Sequence, residues 1–314
     1  MVFVRLRNIR QFESRIRASI TGEELHLTDL DEPSATAREA FGQSEVAFGI
    51  VTPSWIPEAK RLRWLQHLGV GVDALRVLDW KTLSTRVTVT NMPGFYADPV
   101  AQTILAGLLG RVRGLVPLRL NQEKRIWDPT LRFTLETLTG KTVLLAGYGS
   151  IARRLAELLA PFRCTLTTFA RSNPEADLHT SAAVDRILPE TDIVVSTLPA
   201  TPATDRFFDA GRFARFKRGS IFVNAGRGET VDEQALVSLL CSGHLGGAVL
   251  DVARTEPPAT DSPLWGAPNL CLTQHTGGGW NGEQEARVDW FLDNLRRFRT
   301  GVRLNGIVDW ERGY

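Results

Sequence analysis

The sequence predicts an α/β protein of two domains, a doubly wound parallel sheet inserted in a smaller α/β unit. Three observations predict it. At 314 residues the chain exceeds what one small core accommodates. From residue 142 onward, apolar runs at 143–146, 165–169, 193–198, 221–223, 248–252 and 270–273 alternate with helical patterns, as in a parallel sheet covered on both faces. Near the C-terminus, Val288, Phe291, Leu292 and Leu295 have helical spacing, which fits a segment returning to pack on the first unit.

In the N-terminal part, short apolar runs at 2–6, 46–51, 64–68 and 87–89 read as strands, with a helical stretch at 56–62 between two of them. The turn signal Asn91-Met92-Pro93-Gly94 closes this unit. Pro99 then opens a long apolar stretch, 100–109, expected as a helix crossing to the next domain. The boundaries follow: 1–98 and 287–314 form the smaller domain, and 99–286 the larger.

Composition excludes several classes. Apolar residues make up 43% and charged residues 23%, values ordinary for a folded globular chain. Lys and Arg number 37 against 35 Asp and Glu, so no global field favours nucleic acid or an anionic membrane. Cys164, Cys241 and Cys271 are odd in number and widely spaced, which argues against a disulfide framework or a zinc site and for a reducing compartment. The opening Met1-Val2-Phe3-Val4-Arg5-Leu6-Arg7 lacks the apolar core and cleavage site of a signal peptide, and no segment is long and apolar enough to span a bilayer. The expectation is a cytoplasmic protein that binds neither nucleic acid nor membrane.

The turn Gly147-Tyr148-Gly149-Ser150-Ile151-Ala152 follows an apolar strand and opens a helical pattern. In that context the first Gly permits a tight turn, the second lets backbone approach a pyrophosphate, and the small Ala152 allows close helix–strand packing. The helix N-terminus offers free N–H groups to the phosphates. An acid at the end of the next strand would hydrogen-bond the ribose of NAD, but this strand runs into Ala170-Arg171-Ser172-Asn173. Arg171 and Ser172 suit a 2′-phosphate, so NADP is the expected cofactor and NAD the alternative.

Ligands of open α/β sheets lie beyond the carboxyl ends of the strands. There the sequence puts Arg227, Glu256 and His275, each after an apolar run. Arg binds carboxylates bidentately, His passes protons near neutral pH, and a neighbouring carboxylate orients the ring and favours imidazolium. Singly, each has a structural alternative, as helix cap, solvated loop acid or satisfied histidine; together and in order they suit hydride transfer to a 2-keto acid.

With these segments in place, the chain resembles the D-isomer-specific 2-hydroxyacid dehydrogenases, most of all their glyoxylate/hydroxypyruvate reductase branch. The resemblance rests on Gly69-Val70-Gly71-Val72-Asp73, Asn91-Met92-Pro93-Gly94, Gly140-Lys141-Thr142 continuing to Ala152, Leu198-Pro199-x-Thr201, Asn224-Ala225-Gly226-Arg227-Gly228, Asp251-Val252 with Glu256-Pro257, His275, and the ending Val308-Asp309-x-x-Arg312-Gly313-Tyr314. It implies two Rossmann-like domains, a dinucleotide-binding domain inserted in a flavodoxin-like substrate domain, and a homodimer formed through the former. Arg227 would hold the substrate carboxylate and keto oxygen, His275 would be the acid/base, and Glu256 would pair with it. Backbone around Val70, Gly71 and Val72 would grip the carboxylate. Thr103, Leu198 with Pro199, Ala225, Gly226, Asp251 and Gly277 would join Arg227 and His275 around the nicotinamide half.

The sequence departs from the family pattern at Gln102, where an acid is usual, and at Gln274, where a proline is usual. Trp280 lines the substrate pocket or belongs to the core. The rival readings are a dinucleotide-sensing scaffold like the transcriptional corepressors that resemble this family, a phosphoglycerate dehydrogenase-like enzyme, for which Arg76 and Arg111 are candidate cations, and a formate enzyme, against which Glu256 argues.

Overall fold

A computed structural model describes residues 1–20, 22–30 and 34–311, which form two compact units. The first comprises Met1–Phe95 and Trp280–Tyr314, the second Tyr96–Gly279. Arg312, Gly313 and Tyr314 of the quoted C-terminal motif lie outside the described residues.

The first unit alternates β1 (Val2–Arg5), α1 (Glu13–Ser19), β2 (Leu25–Thr28), α2 (Ser34–Gln43), β3 (Val46–Gly49), α3 (Trp55–Glu58), β4 (Trp64–Gln66), α4 (Trp80–Leu83) and β5 (Thr88–Thr90). Its sheet is parallel in the order β2-β1-β3-β4-β5, the flavodoxin-like arrangement. Side chains alternate across a pleated strand. Accordingly Phe3, Ala47, Leu65 and Val89 join the core under α2 and α3, while Val4, Val46, Phe48 and Trp64 face the opposite core. The C-terminal helix Glu283–Thr300 closes that second face: Phe291 stacks on Phe48 at 4.4 Å and on Trp64 at 5.6 Å between centroids.

Two local expectations need correction, and one strand was not expected. The helical stretch at 56–62 is one turn, ending at Glu58, because Ala59 leaves helical geometry at ψ 82°. The C-terminal helix begins at Glu283, before the apolar spacing does, where Gly282 in left-handed geometry starts it. The segment 22–30 contains a strand, β2, too short and too mixed in polarity to stand out.

The second unit runs α5 (Ala97–Val112), α6 (Leu115–Glu123), β6 (Thr142–Ala146), α7 (Ser150–Leu159), β7 (Thr165–Phe169), α8 (Ser181–Ile187), β8 (Ile193–Ser196), α9 (Ala210–Phe213), β9 (Ile221–Asn224), α10 (Glu233–Cys241), β10 (Gly247–Leu250) and β11 (Leu270–Leu272). All six apolar runs form strands. The helix expected to cross between domains instead lies wholly in this unit, where its Gly107 lets it approach β10; a Cβ there would stand 2.8 Å from Val249 Cγ1. The sheet order is β11-β10-β9-β8-β6-β7, all parallel, with a further strand beyond β7 reduced to the bridge between Phe169 and Leu178. The order reverses at β6, which puts a crevice at the carboxyl ends of β6 and β8.

Candidate active site

The glycine turn sits at that crevice. Gly147 has φ +97°, and its N–H and that of Tyr148 both bond Phe169 O at the end of β7, at 2.8 and 3.0 Å. A Cβ on Gly147 would come within 2.8 Å of the Thr197 carbonyl carbon, so only glycine fits this turn without strain. Ala152 is buried against the sheet. The helix α7 carries no side-chain N-cap, unlike α8, α9 and α10, whose first turns are capped by Thr180, Asp209 and Asp232. Its first amides, around Ser150 and Ile151, are therefore left for a ligand. A Cβ on Gly149 would meet no protein atom within 4 Å, so the space above the turn is open to an occupant. These features fit a dinucleotide pyrophosphate.

Arg171 and Ser172, just past β7, are exposed, and neither side chain has a bonding partner among the described residues. Leu198 and Pro199 follow β8. The Leu198 backbone is wedged between two glycine turns: a Cβ on Gly226 would lie 2.5 Å from Leu198 O, and one on Gly147 2.9 Å from Leu198 N. Close packing of backbone on backbone thus joins the turns after β6, β8 and β9, and Ala225 is buried with them.

Of the three catalytic candidates, two are in direct contact: His275 Nδ1 lies 2.6 Å from Glu256 Oε2. Glu256 is itself held, its Oε1 accepting from Ala253 N at 2.9 Å. His275 Nε2 has no partner among the described residues. Arg227 is half-buried, its Nη1 donating to Gly226 O at 2.8 Å. Its loop is latched by the buried Asn224, which donates to Arg227 O at 2.9 Å and accepts from Gly226 N at 3.1 Å. Gly228 follows, so close to Ala253 that a Cβ would stand 2.0 Å from that residue's carbonyl carbon. The Arg227 loop therefore lies against the residue whose amide holds Glu256.

Asp251 ties the third strand end in. Its amide bonds Asn224 O at 2.9 Å, its carboxylate accepts from Thr273 Oγ1 at 2.6 Å and Gly277 N at 3.0 Å, and its carbonyl accepts from His275 N at 2.6 Å. Thr103 Oγ1 donates to Gly277 O at 3.2 Å. Gln274 and His275 adopt φ 56° and 54°. Proline, locked near −65°, cannot take the first of these, so Gln274 permits a loop conformation that the usual residue forbids. Gln102 reaches one turn back to Asp98, which also pairs with Arg154 at 2.6 Å. Arg111 Nε donates to Gly246 O at 2.8 Å. Burial pushes the thiols of Cys164 and Cys271 above the ordinary range, which leaves them protonated and poor nucleophiles at neutral pH. No three His, Cys, Asp or Glu side chains cluster for a metal among the described residues.

Val70, Gly71 and Val72 lie in the first unit, in the loop between β4 and the short turn Asp73–Leu75. Trp280 belongs to the same unit, 38% exposed and tilted against Phe95 at 5.1 Å. Sequence reasoning missed Asn224, although it stands in a quoted motif, and His67, which no motif flagged.

A doubly wound sheet with this turn, and with an acid/base pair at its carboxyl edge, is the frame of a dinucleotide-dependent oxidoreductase. The sequence pattern described as "D-isomer specific 2-hydroxyacid dehydrogenase, NAD binding domain" matches residues 105–277. The chain is similar to glyoxylate/hydroxypyruvate reductase B of Klebsiella pneumoniae, 31% identical over 269 residues, 82% of this chain and 82% of that protein. It is also similar to the chloroplastic/mitochondrial formate dehydrogenase of Arabidopsis thaliana, 31% identical over 258 residues, 80% of this chain and 67% of that protein. Among solved structures, the NADPH-dependent glyoxylate/hydroxypyruvate reductase of Sinorhizobium meliloti in complex with NADP and sulfate matches with a TM-score of 0.82 at 25% identity, covering 100% of this chain and 99% of that one. The chain belongs to the D-isomer-specific 2-hydroxyacid dehydrogenase family of NAD(P)-dependent oxidoreductases.

Proposed function

We propose that the protein reduces a small 2-keto acid, such as glyoxylate or hydroxypyruvate, to the D-2-hydroxy acid, with NADPH preferred over NADH. The observation that carries this reading is the 2.6 Å contact of His275 Nδ1 with Glu256 Oε2, which commits one ring nitrogen and frees the other. The bound dinucleotide supplies the hydride. Arg227 binds the substrate carboxylate and polarises the keto group, and the amides of Val70, Gly71 and Val72 take the carboxylate as well. His275 gives a proton from Nε2 to the oxygen that becomes the hydroxyl, while Glu256 fixes the ring so that Nε2 is the nitrogen presented. Thr103, Leu198, Ala225, Gly226, Asp251 and Gly277 would surround the nicotinamide, and Gly147 to Ile151 the pyrophosphate.

The preference for NADPH rests on the unpartnered Arg171 and Ser172 and on the absence of an acid beside them. The Glu256–His275 pair weighs against formate as substrate. The homodimer is supported by an apolar surface in the second unit: on and after α6, Leu115, Val116, Ile126, Trp127 and Phe133 are all more than half exposed, Trp127 at 94%. Surface of that kind calls for cover, and a second copy is the partner the family resemblance implies. A panel of 2-keto acids assayed with NADPH and with NADH tests the proposal; turnover of none of them would overturn it.

A further inference from the structure

The loop 69–72 has a one-sided hydrogen-bond pattern. All four of its carbonyls are taken up by the protein: Gly69 O by Met92 N at 3.2 Å, Val70 O by Asn91 Nδ2 at 2.7 Å, Gly71 O by His67 Nε2 at 3.0 Å, and Val72 O by Leu75 N at 2.9 Å. The amides of Val70, Gly71 and Val72 donate to nothing among the described residues. A run of backbone whose oxygens are tied down and whose N–H groups are free is a donor set suited to an anion.

Two of those four anchors are side chains, and both belong to elements that are themselves fixed. His67 continues β4, and its amide donates to Thr90 O at 2.7 Å. Its partner atom is a carbonyl, which only accepts, so Nε2 carries the ring proton. Asn91 follows β5, and its amide donates to Gly306 O at 2.8 Å. Beneath both lies a buried polar network. Gln66 donates to the carbonyls of His67, Thr90 and Asn91, and it accepts from Thr90 Oγ1 at 2.8 Å and from Asn294 Nδ2 at 2.9 Å. Such networks are costly to bury unless complete, and this one serves to fix where His67 and Asn91 stand.

We propose that His67 and Asn91 are positioning residues for substrate binding, which hold the carbonyls of Gly71 and Val70 away from the substrate so that the amides of Val70, Gly71 and Val72 present a preformed grip for its carboxylate. The proposal rests on the 2-keto acid reading above. Neither residue touches the reacting atoms. Each acts by restricting the rotation of one peptide plane, and pre-organised donors bind an anion without a reordering cost.

The test uses the full-length holoenzyme with glyoxylate as substrate and oxalate as a non-reacting carboxylate probe. His67→Gln keeps an N–H near the position of Nε2, while His67→Phe keeps the ring shape and removes the donor. His67→Phe is expected to raise KM for glyoxylate and weaken oxalate binding by about tenfold, with the dissociation constant of NADPH unchanged and kcat lowered less than KM is raised. His67→Gln is expected within about threefold of wild type. Asn91→Ala, which removes the other anchor alone, is expected to repeat the His67→Phe pattern and keeps the test open if His67→Phe does not fold. An unchanged KM in both His67→Phe and Asn91→Ala, or a loss in His67→Gln as large as that in His67→Phe, overturns the proposal. If wild-type enzyme reduces no 2-keto acid, the functional reading fails by itself, and calorimetry with oxalate still decides the role of His67.

Discussion

His275 Nδ1 stands 2.6 Å from Glu256 Oε2, and the opposite nitrogen of the ring has no partner among the described residues. The pair is brought together from the loops after β10 and β11 by Asp251, whose carbonyl fixes the His275 backbone, and by Ala253, whose amide fixes the Glu256 carboxylate. If this pair moves the proton, His275→Gln lowers kcat by roughly 10²–10⁴-fold while the dissociation constant of the dinucleotide stays near wild type. Glu256→Gln, which keeps the side chain's shape but replaces the carboxylate with a neutral amide, has a smaller effect in the same direction. Steady-state kinetics with glyoxylate beside fluorescence titration of NADPH checks both; retained turnover in His275→Gln would remove the residue from the mechanism.

Arg171 decides the cofactor if the 2′-phosphate reading is right. Arg171→Ala is expected to reduce kcat/KM for NADPH by about tenfold or more and to leave that for NADH nearly unchanged, because only one of the two ligands carries the charge it would pair with. An equal loss with both cofactors would assign Arg171 a structural role.

Gly226→Ala sets a Cβ 2.5 Å from Leu198 O and 2.8 Å from the Thr197 carbonyl carbon, where the neighbours are backbone and no flexible side chain can yield. The expected result is a loss of about 1–3 kcal/mol in stability and a marked weakening of dinucleotide binding, since the turns after β8 and β9 must part. Thermal unfolding and NADPH titration of the variant measure the two effects. A variant as stable as wild type, with normal affinity, would show that this approach is not needed.

His67 makes stability depend on pH on the acid side. Burial pushes its pKa below the ordinary histidine value, against smaller upward pulls from the Gly71 carbonyl and Asp73. The unfolded chain, titrating near 6.5, then binds the proton more readily than the native one. The contribution of His67 is therefore complete above about 6.5, falls as pH drops below that value, and levels off beneath the folded pKa. His67→Gln is expected to flatten this part of the stability profile relative to wild type, as read by urea unfolding across the range. Identical slopes in both proteins would contradict it.

The exposed Trp127 and Phe133, at 94% and 82%, are the probes for self-association. Trp127→Ser with Phe133→Ser is expected to shift the protein from dimer to monomer in sedimentation equilibrium at micromolar concentration. A wild-type protein that is already monomeric there would sink the dimer.

The larger sheet was legible because its central strands are buried on both faces: 193–195 and 221–223 are apolar throughout, and that signal needs no partner to be read. The glycine turn was legible for a related reason, since its geometry is a local backbone demand. Other features depended on context. β2, Leu25–Thr28, is half polar because it lies at the sheet edge. The strand beyond β7 shrinks to one bridge at Leu178, next to Asp177, whose carboxylate accepts from Thr168 N and Oγ1 at 2.8 Å each, so side chain replaces ladder there.

The sequence by itself determined the class of the fold, the glycine turn after β6, and the order of Arg227, Glu256 and His275 along successive strand ends, because each follows from periodicity or from residue chemistry at a fixed local spacing. Only the tertiary structure decided that Ala253 N and the Asp251 carbonyl hold Glu256 and His275 in place, that Asn224 latches the Arg227 loop, and that His67 and Asn91 hold the carbonyls of the loop 69–72. Those are hydrogen bonds between segments that come together only once the sheets form, and no pattern within a single segment records which donor will face which acceptor.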